Sequence, residues 1–231
     1  MAKLSSIDVA LLNQVHALVG RHITPGKNMP MQLASPLLDS QTIKRSGYED
    51  HFGWQLLHTN DSTLVLKPST CFSVYDDLKD TSLKYEFEAL ICAPVYRTES
   101  SALEATGRYN GFWMLEYVFM GSKTVVDARA FKLLNDAESI FDDLGIKVLP
   151  KKSTDAFFMD ESRGSKLIQQ IKGLKTEFIY GKDELSLGSL NRHEDYFGRR
   201  FGISLNGTPA HGLCMAFGLD RIADAREGRV T

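Results

Sequence analysis

The stretch His211-Gly212-Leu213-Cys214-Met215-Ala216-Phe217-Gly218-Leu219-Asp220-Arg221-Ile222 decides how this chain is read. It ends in a small-residue turn and an arginine, and helix-forming sequence follows. Far upstream stands Tyr96-Arg97-Thr98-Glu99, then a loop, then the strand-like run Phe112-Trp113-Met114-Leu115-Glu116-Tyr117. Each of these regions carries an arginine beside apolar, strand-forming sequence.

Bulk properties limit what such a pair of regions can belong to. With 231 residues and 43% apolar content, the chain can bury a sizeable core in one domain or at most two. A net charge of -2 gives no bulk basic character, which argues against wholesale nucleic-acid binding and weakens a tRNA partner. Met1-Ala2-Lys3-Leu4-Ser5-Ser6 lacks an apolar leader, and no run approaches the roughly 18 apolar residues of a membrane span. The expectation is a soluble, cytoplasmic protein with no membrane contact. Cys71, Cys92 and Cys214 are few and widely spaced, as reduced thiols are. Read alone, they are buried core thiols.

Along the chain, helix and strand signals alternate irregularly, without repeats or charged tails. Ser6 is positioned to cap a helix whose Val9, Leu12, Val15 and Val19 share a face, before Pro25-Gly26 breaks it. Strands are predicted from Thr63 to Leu66, from Tyr85 to Ala93 and from Phe112 to Met120. In the second, Phe87, Ala89 and Ile91 alternate with Glu86, Glu88 and Leu90. Asp127 begins an amphipathic helix bearing Ala130, Leu133, Leu134, Ala137, Ile140, Phe141 and Leu144, with Gly145 as its stop. Further strands are predicted from Lys175 to Tyr180 and from Arg200 to Leu205, the latter ended by the Asn206-Gly207 turn pair. The pattern is α+β: an antiparallel sheet flanked by helices.

The His211 to Ile222 stretch resembles motif 3 of the class II aminoacyl-tRNA synthetases. The order from Tyr96 through Tyr117 resembles their motif 2. Gln32-Leu33-Ala34-Ser35-Pro36-Leu37-Leu38 is similar to motif 1, the dimer-forming helix and strand, which implies a homodimer through the Pro36 region. Three further segments narrow the resemblance. They are Pro68-Ser69-Thr70-Cys71, the strand residue Glu116, and Ala210-His211-Gly212-Leu213-Cys214. These resemble the zinc-binding segments of the synthetase-like amino acid:[carrier protein] ligases, relatives of the catalytic core of methanogen-type seryl-tRNA synthetase. Thr154-Asp155-Ala156-Phe157-Phe158, Leu174-Lys175-Thr176-Glu177 and the run from Ser189 through Asn191, His193 and Phe197 to Gly198 follow the ligase pattern in order and spacing. The resemblance covers roughly residues 30 to 225.

The resemblance implies ATP-dependent activation of an amino acid to an aminoacyl-adenylate. Arg97 would grip the α-phosphate and the carboxylate, because a guanidinium fork matches such oxygens bidentately. Glu99 would read the adenine edge, Phe112 would stack on the ring, and Arg221 would face the γ-phosphate. Glu184 would help hold magnesium and phosphates. Glu177 and Asn191 would contact the amino acid, and Cys71, Glu116 and Cys214 would hold zinc. Two thiolates and a carboxylate leave tetrahedral zinc one open position for the substrate's amine. Cys92 has no such assignment, and His193 is read as a satisfied core histidine rather than a catalytic one.

With no N-terminal tRNA-binding arm evident, the expected chain is a single catalytic domain, residues 1–231, in which 1–30 form a helix and lead-in. The implied acceptor is then the phosphopantetheine thiol of a carrier protein. Lys166, Lys172 and Lys175 offer a docking face, or an ordinary solvated one. Trp113, Leu115 and Phe119 stand where related ligases tend to have arginines, and Trp113 or Phe157 could narrow the pocket toward glycine or alanine. Two rivals stand beside this reading: transfer to tRNA or another acceptor, and a non-catalytic paralogue with a regulatory role.

Overall fold

The computed structural model describes residues 8–98, 107–153 and 174–230. Its first helix, α1 (Val9–His22), is capped by Asp8, whose carboxylate accepts from the amides of Ala10 and Leu11. Ser6, the expected cap, lies outside the described residues. Leu12, Val15 and Val19 are buried as predicted, but Val9 is 57% exposed, and Leu11 and Leu18 complete the apolar stripe.

Then follow β1 (Met31–Leu33), β2 (Leu37–Asp39), α2 (Ser40–Ser46), α3 (Tyr48–Phe52), β3 (Leu64–Leu66), α4 (Cys71–Asp77) and β4 (Ser82–Leu83). The long elements are β5 (Phe87–Tyr96), β6 (Gly111–Gly121) and α5 (Lys123–Asp143). Beyond them lie β7 (Leu149–Ser153), β8 (Lys175–Tyr180), β9 (Leu185–Glu194), α6 (Tyr196–Phe201), β10 (Ser204–Leu205), β11 (Thr208–Pro209), β12 (His211–Gly218) and α7 (Leu219–Arg226). One seven-stranded sheet runs β1-β5-β6-β12-β9-β8-β7. All its neighbours are antiparallel except β1, which lies parallel to β5 at the edge. This is the expected α+β architecture with one parallel edge strand added.

The two faces of the central strands serve different purposes. Leu115, Tyr117 and Phe119 of β6 and Leu213, Met215 and Phe217 of β12 pack with α1, α5 and α7 into the larger core. Side chains of a strand alternate in direction, so Phe112, Met114 and Glu116 of β6 and Cys214 and Ala216 of β12 take the opposite face. There Phe72 and Tyr75 of α4 and Phe197 and Phe201 of α6 cover part of the sheet, and a cleft opens beside them. Burial on both faces explains why β5 departs from simple alternation: Ala89 and Ile91 enter one core, Leu90 and Cys92 the other.

Two boundaries differ from the sequence reading. Helix α5 starts at Lys123 rather than Asp127, with a Lys123–Asp127 ion pair across its first turn, and Gly145 at φ 74° closes it. Residues 200 and 201 are helical rather than strand. The Arg199–Asp195 pair supports α6, Gly202 at φ 66° ends it, and only Ser204–Leu205 is extended before the Asn206-Gly207 turn. Helix α6 also presses on the chain entering β12, since a Cβ on Gly198 would stand 2.1 Å from the Ala210 carbonyl oxygen. Gly198→Ala is therefore expected to destabilise the fold by about 3 kcal/mol, read as a lowered urea midpoint. An unchanged midpoint would contradict this packing.

Candidate active site

The cleft has a volume of about 310 Å³. At one end Cys71, the first residue of α4, meets Glu116 of β6 and Cys214 of β12. One ligand atom from each lies within 4.8 Å of the others, and all three residues are buried. The antiparallel register sets this up: Glu116 pairs with Ala216 and Cys214 with Val118 on adjacent strands. The turn from Pro68 to Cys71 closes the third side. Its Ser69 hydroxyl (3.0 Å) and Thr70 amide (3.1 Å) donate to Glu116 Oε1, and the Cys71 amide donates to Oε2 (3.1 Å). The carboxylate, 1% exposed, is thus fixed by three donors before any ion is considered.

The donor set fits a thiophilic dication. The neighbouring Cys214 thiol, burial and the Glu116 charge hold the Cys71 thiol well above its ordinary range. A dication reverses that balance by stabilising the thiolates. Zinc accepts such a mixed sulfur and carboxylate set and keeps a fourth position. Around the trio, Asn191 Nδ2 donates to Ser189 Oγ (3.0 Å) and lies 3.6 Å from Cys214 Sγ. His193 Nε2 is 3.9 Å from the same sulfur, and its Nδ1 shares a hydrogen bond of 2.9 Å with the Tyr75 hydroxyl. Burial pushes the His193 imidazole down to about 3, so it is neutral. His193 is therefore both a satisfied buried histidine and a wall of the cleft. Cys92 lies in the other core, and burial pushes its thiol up to about 12.

At the other end the guanidinium carbons of Arg97 and Arg221 stand 5.6 and 5.9 Å from the centroid of the Phe112 ring. Arg97 Nε donates to the Pro68 carbonyl at 2.8 Å, tying this end to the turn that holds the trio. Arg221 sits in the first turn of α7. Its Nε donates to Gly107 O (3.0 Å) and Nη1 to Ser186 O (2.8 Å). The floor between the two ends is small-residue sequence, Gly188, Ser189, Ala216 and Gly218, so a ligand can approach the backbone.

Most residues singled out in the sequence converge here: Cys71, Arg97, Phe112, Glu116, Glu177, Asn191, Cys214 and Arg221 all line the cleft. Glu177 is ion-paired with Lys175 at 3.0 Å. Lys175, expected on an outer docking face, thus lines the cleft. Lys166, Lys172, Phe157 and Glu99 lie outside the described residues. Glu184 is not brought to the cleft: it occupies a turn at φ 51° before β9, where it is exposed and paired with Lys151 at 2.6 Å. Trp113, Leu115 and Phe119 belong to the opposite face of β6, so none of them lines the cleft and Trp113 does not narrow it. Tyr48, Phe52 and Gln55 also line the cleft, with the Tyr48 hydroxyl donating to Gln55 Oε1 at 2.8 Å. No motif pointed to them; the Gly47 and Gly53 brackets around α3 are their only sequence signal.

No protein-family model matches the chain. Two curated proteins of Bradyrhizobium diazoefficiens do. Amino acid--[acyl-carrier-protein] ligase 1 is 31% identical over 173 residues, covering 70% of this chain and 51% of that protein. Ligase 2 is 26% identical over 251 aligned positions, covering 93% of this chain and 73% of that protein. The chain therefore spans about half the length of the first relative. Among solved structures, the M. kandleri seryl-tRNA synthetase in complex with A. aeolicus tRNASec superposes with a TM-score of 0.78 at 17% identity, over 95% of this chain and 51% of that one. The Pyrococcus horikoshii seryl-tRNA synthetase complexed with ATP gives 0.76 at 15% identity, over 94% and 49%. The shared sequence and the shared fold make this chain a relative of the amino acid:[carrier protein] ligases, built on the catalytic fold of class II seryl-tRNA synthetases.

Proposed function

We propose that this chain activates a small amino acid, glycine or alanine-like, with ATP and passes the aminoacyl group to the phosphopantetheine thiol of a carrier protein. The observation that carries this reading is the union, in one cleft, of the Arg97–Phe112–Arg221 group with the Cys71–Glu116–Cys214 trio. A carboxylate oxygen attacks the α-phosphorus of ATP, pyrophosphate leaves, and a thiolate then displaces AMP from the adenylate. Such a reaction needs charge neutralised on the phosphates and the reactants aligned, which two guanidiniums and an adenine-stacking ring supply. Zinc held by the trio would give the amine a coordination position and so select amino acids over plain carboxylic acids. Asn191, 3.6 Å from Cys214 Sγ, and Glu177 in the same cleft would contact the amino acid. Tyr48, Phe52, Phe72 and Phe197 supply aromatic walls to the cleft, which supports the choice of a small side chain.

Magnesium would enter with ATP, and Glu99 would read the adenine edge. We read the chain as a single catalytic domain in the cytoplasm. Among its described residues no helix is long and apolar enough to cross a membrane. A second copy would pack along the Pro36 region, where Leu33, the last residue of edge strand β1, is 70% exposed and Leu37, the first of β2, is exposed too. The deciding experiment is amino acid-dependent exchange of labelled pyrophosphate into ATP, with protein of known zinc content. Exchange with glycine or alanine and not with acetate or propionate is expected. No exchange from zinc-loaded protein would leave the non-catalytic paralogue. Charging of tRNA in place of a carrier protein would replace the acceptor.

A further inference from the structure

Asp224 is buried, at 3% exposure, on α7 one turn beyond Arg221. A carboxylate in such a place costs free energy unless its oxygens are answered. Its Oδ2 accepts from the Tyr109 hydroxyl, and the exposed Arg229 reaches Oδ1 with Nε at 3.3 Å. Tyr109 stands in the segment before β6, and its ring packs against Val95, Phe112, Met114 and Ala216, of which the last three line the cleft. One turn back on α7, Asp220 Oδ2 accepts from the Trp113 amide at 2.5 Å. Residues four apart share a helix face, so two aspartates of α7 grip the chain on either side of Phe112 in the sequence. The same segment holds Arg97 from behind, since Asn110 O accepts from the Arg97 amide at 2.9 Å.

We propose that Asp224, acting through the Tyr109 hydroxyl, is a positioning residue for the nucleotide end of the cleft. It fixes the segment that carries Phe112 and backs Arg97 against the helix that carries Arg221. The inference rests on the reading that these three side chains bind ATP. They come from three separate elements, the end of β5, the start of β6 and α7, so their spacing is set only by what ties those elements together. The β5–β6 ladder ends at the Tyr96–Gly111 pair, and before Gly111 the chain depends on side-chain contacts for its place. Arg221 also reaches this segment, at Gly107 O, but its guanidinium is one of the groups that phosphate would engage. Asp224 does not line the cleft and carries a charge that no phosphate recruits. Its bond to Tyr109 therefore persists when the site fills, and holds the ring and both guanidiniums at the separation the ligand needs.

The test compares Tyr109→Phe with wild type in the full chain. The variant keeps the ring in its cluster and removes only the hydroxyl. Calorimetry with ATP and magnesium measures nucleotide affinity, and urea midpoints are taken with and without ATP. Affinity for ATP is expected to fall roughly tenfold, the weight of one hydrogen bond to a charged group. By linkage, the midpoint should then fall further in the presence of ATP than in its absence. A role in stability alone would lower both midpoints equally and leave the affinity as it was, and that result overturns the inference. If Tyr109→Phe does not fold, Asp224→Asn is read in its place. There the carboxamide oxygen still accepts from the hydroxyl but without the charge, so a loss of about threefold is expected, and no loss overturns the inference. Wild-type protein that binds no ATP fails the reading of the nucleotide end itself, a result distinct from either.

Discussion

Arg97→Ala is expected to lower amino acid-dependent pyrophosphate exchange about a thousandfold while leaving the urea midpoint nearly unchanged. The side chain is half-buried and, among the described residues, donates to Pro68 O, so truncating it removes little of the fold. What it removes is the planar fork that matches carboxylate and phosphate oxygens at once. Arg97→Lys keeps the charge without the fork and should recover only a minor part of the rate. Arg221→Ala should be equally inactive but also less stable, because Gly107 O and Ser186 O lose their donor. Exchange retained in either variant would remove the nucleotide assignment, and equal stability of the two would remove the clasping role of Arg221.

Glu116→Ala carries the largest combined effect. Three donors converge on this buried carboxylate, two of them backbone amides that cannot turn elsewhere. Their loss is expected to cost roughly 3 kcal/mol in denaturant unfolding, together with all stoichiometric zinc. Cys71→Ser and Cys214→Ser should also release the metal, yet at a smaller cost in stability of the metal-free protein, since a serine hydroxyl can still meet Ser69 at the first position and Asn191 and His193 at the second. The pair of measurements separates ligand from scaffold. Zinc at full occupancy in any of the three variants would refute the ligand set.

How far the sequence could be read depended on whether local pattern or long-range closure decided a feature. Strand β8 and helix α5 carry their own periodicity, and β6 its β-branched and aromatic run, so they were legible to within a few residues. The end of helix α6, residues 200 and 201, reads as strand because a six-residue helix is too short to show a period; its cap glycine decides it. Cys71, Glu116 and Cys214 have no metal-like spacing. They meet only because β6 and β12 are neighbours in the sheet, so family resemblance rather than pattern found them. The faces of β6 were hidden for a related reason. A strand buried on both sides is apolar throughout, and nothing in Phe112 to Phe119 announces that Trp113 turns away from the cleft. Tyr48 and Phe52 reach the cleft from a five-residue helix far from every motif.

Arg221 has a last implication. Its guanidinium holds the carbonyls of Gly107 and Ser186, one from the segment before β6 and one from β9. On the proposed reading, ligand entry at this end would be an exchange of partners rather than the filling of a void. Affinity reports only the difference between the old contacts and the new ones, and can be modest however many bonds the complex displays. An anion that draws Arg221 toward itself would leave the Gly107 and Ser186 carbonyls short of a donor, so that binding at this end would be felt by the backbone of both segments.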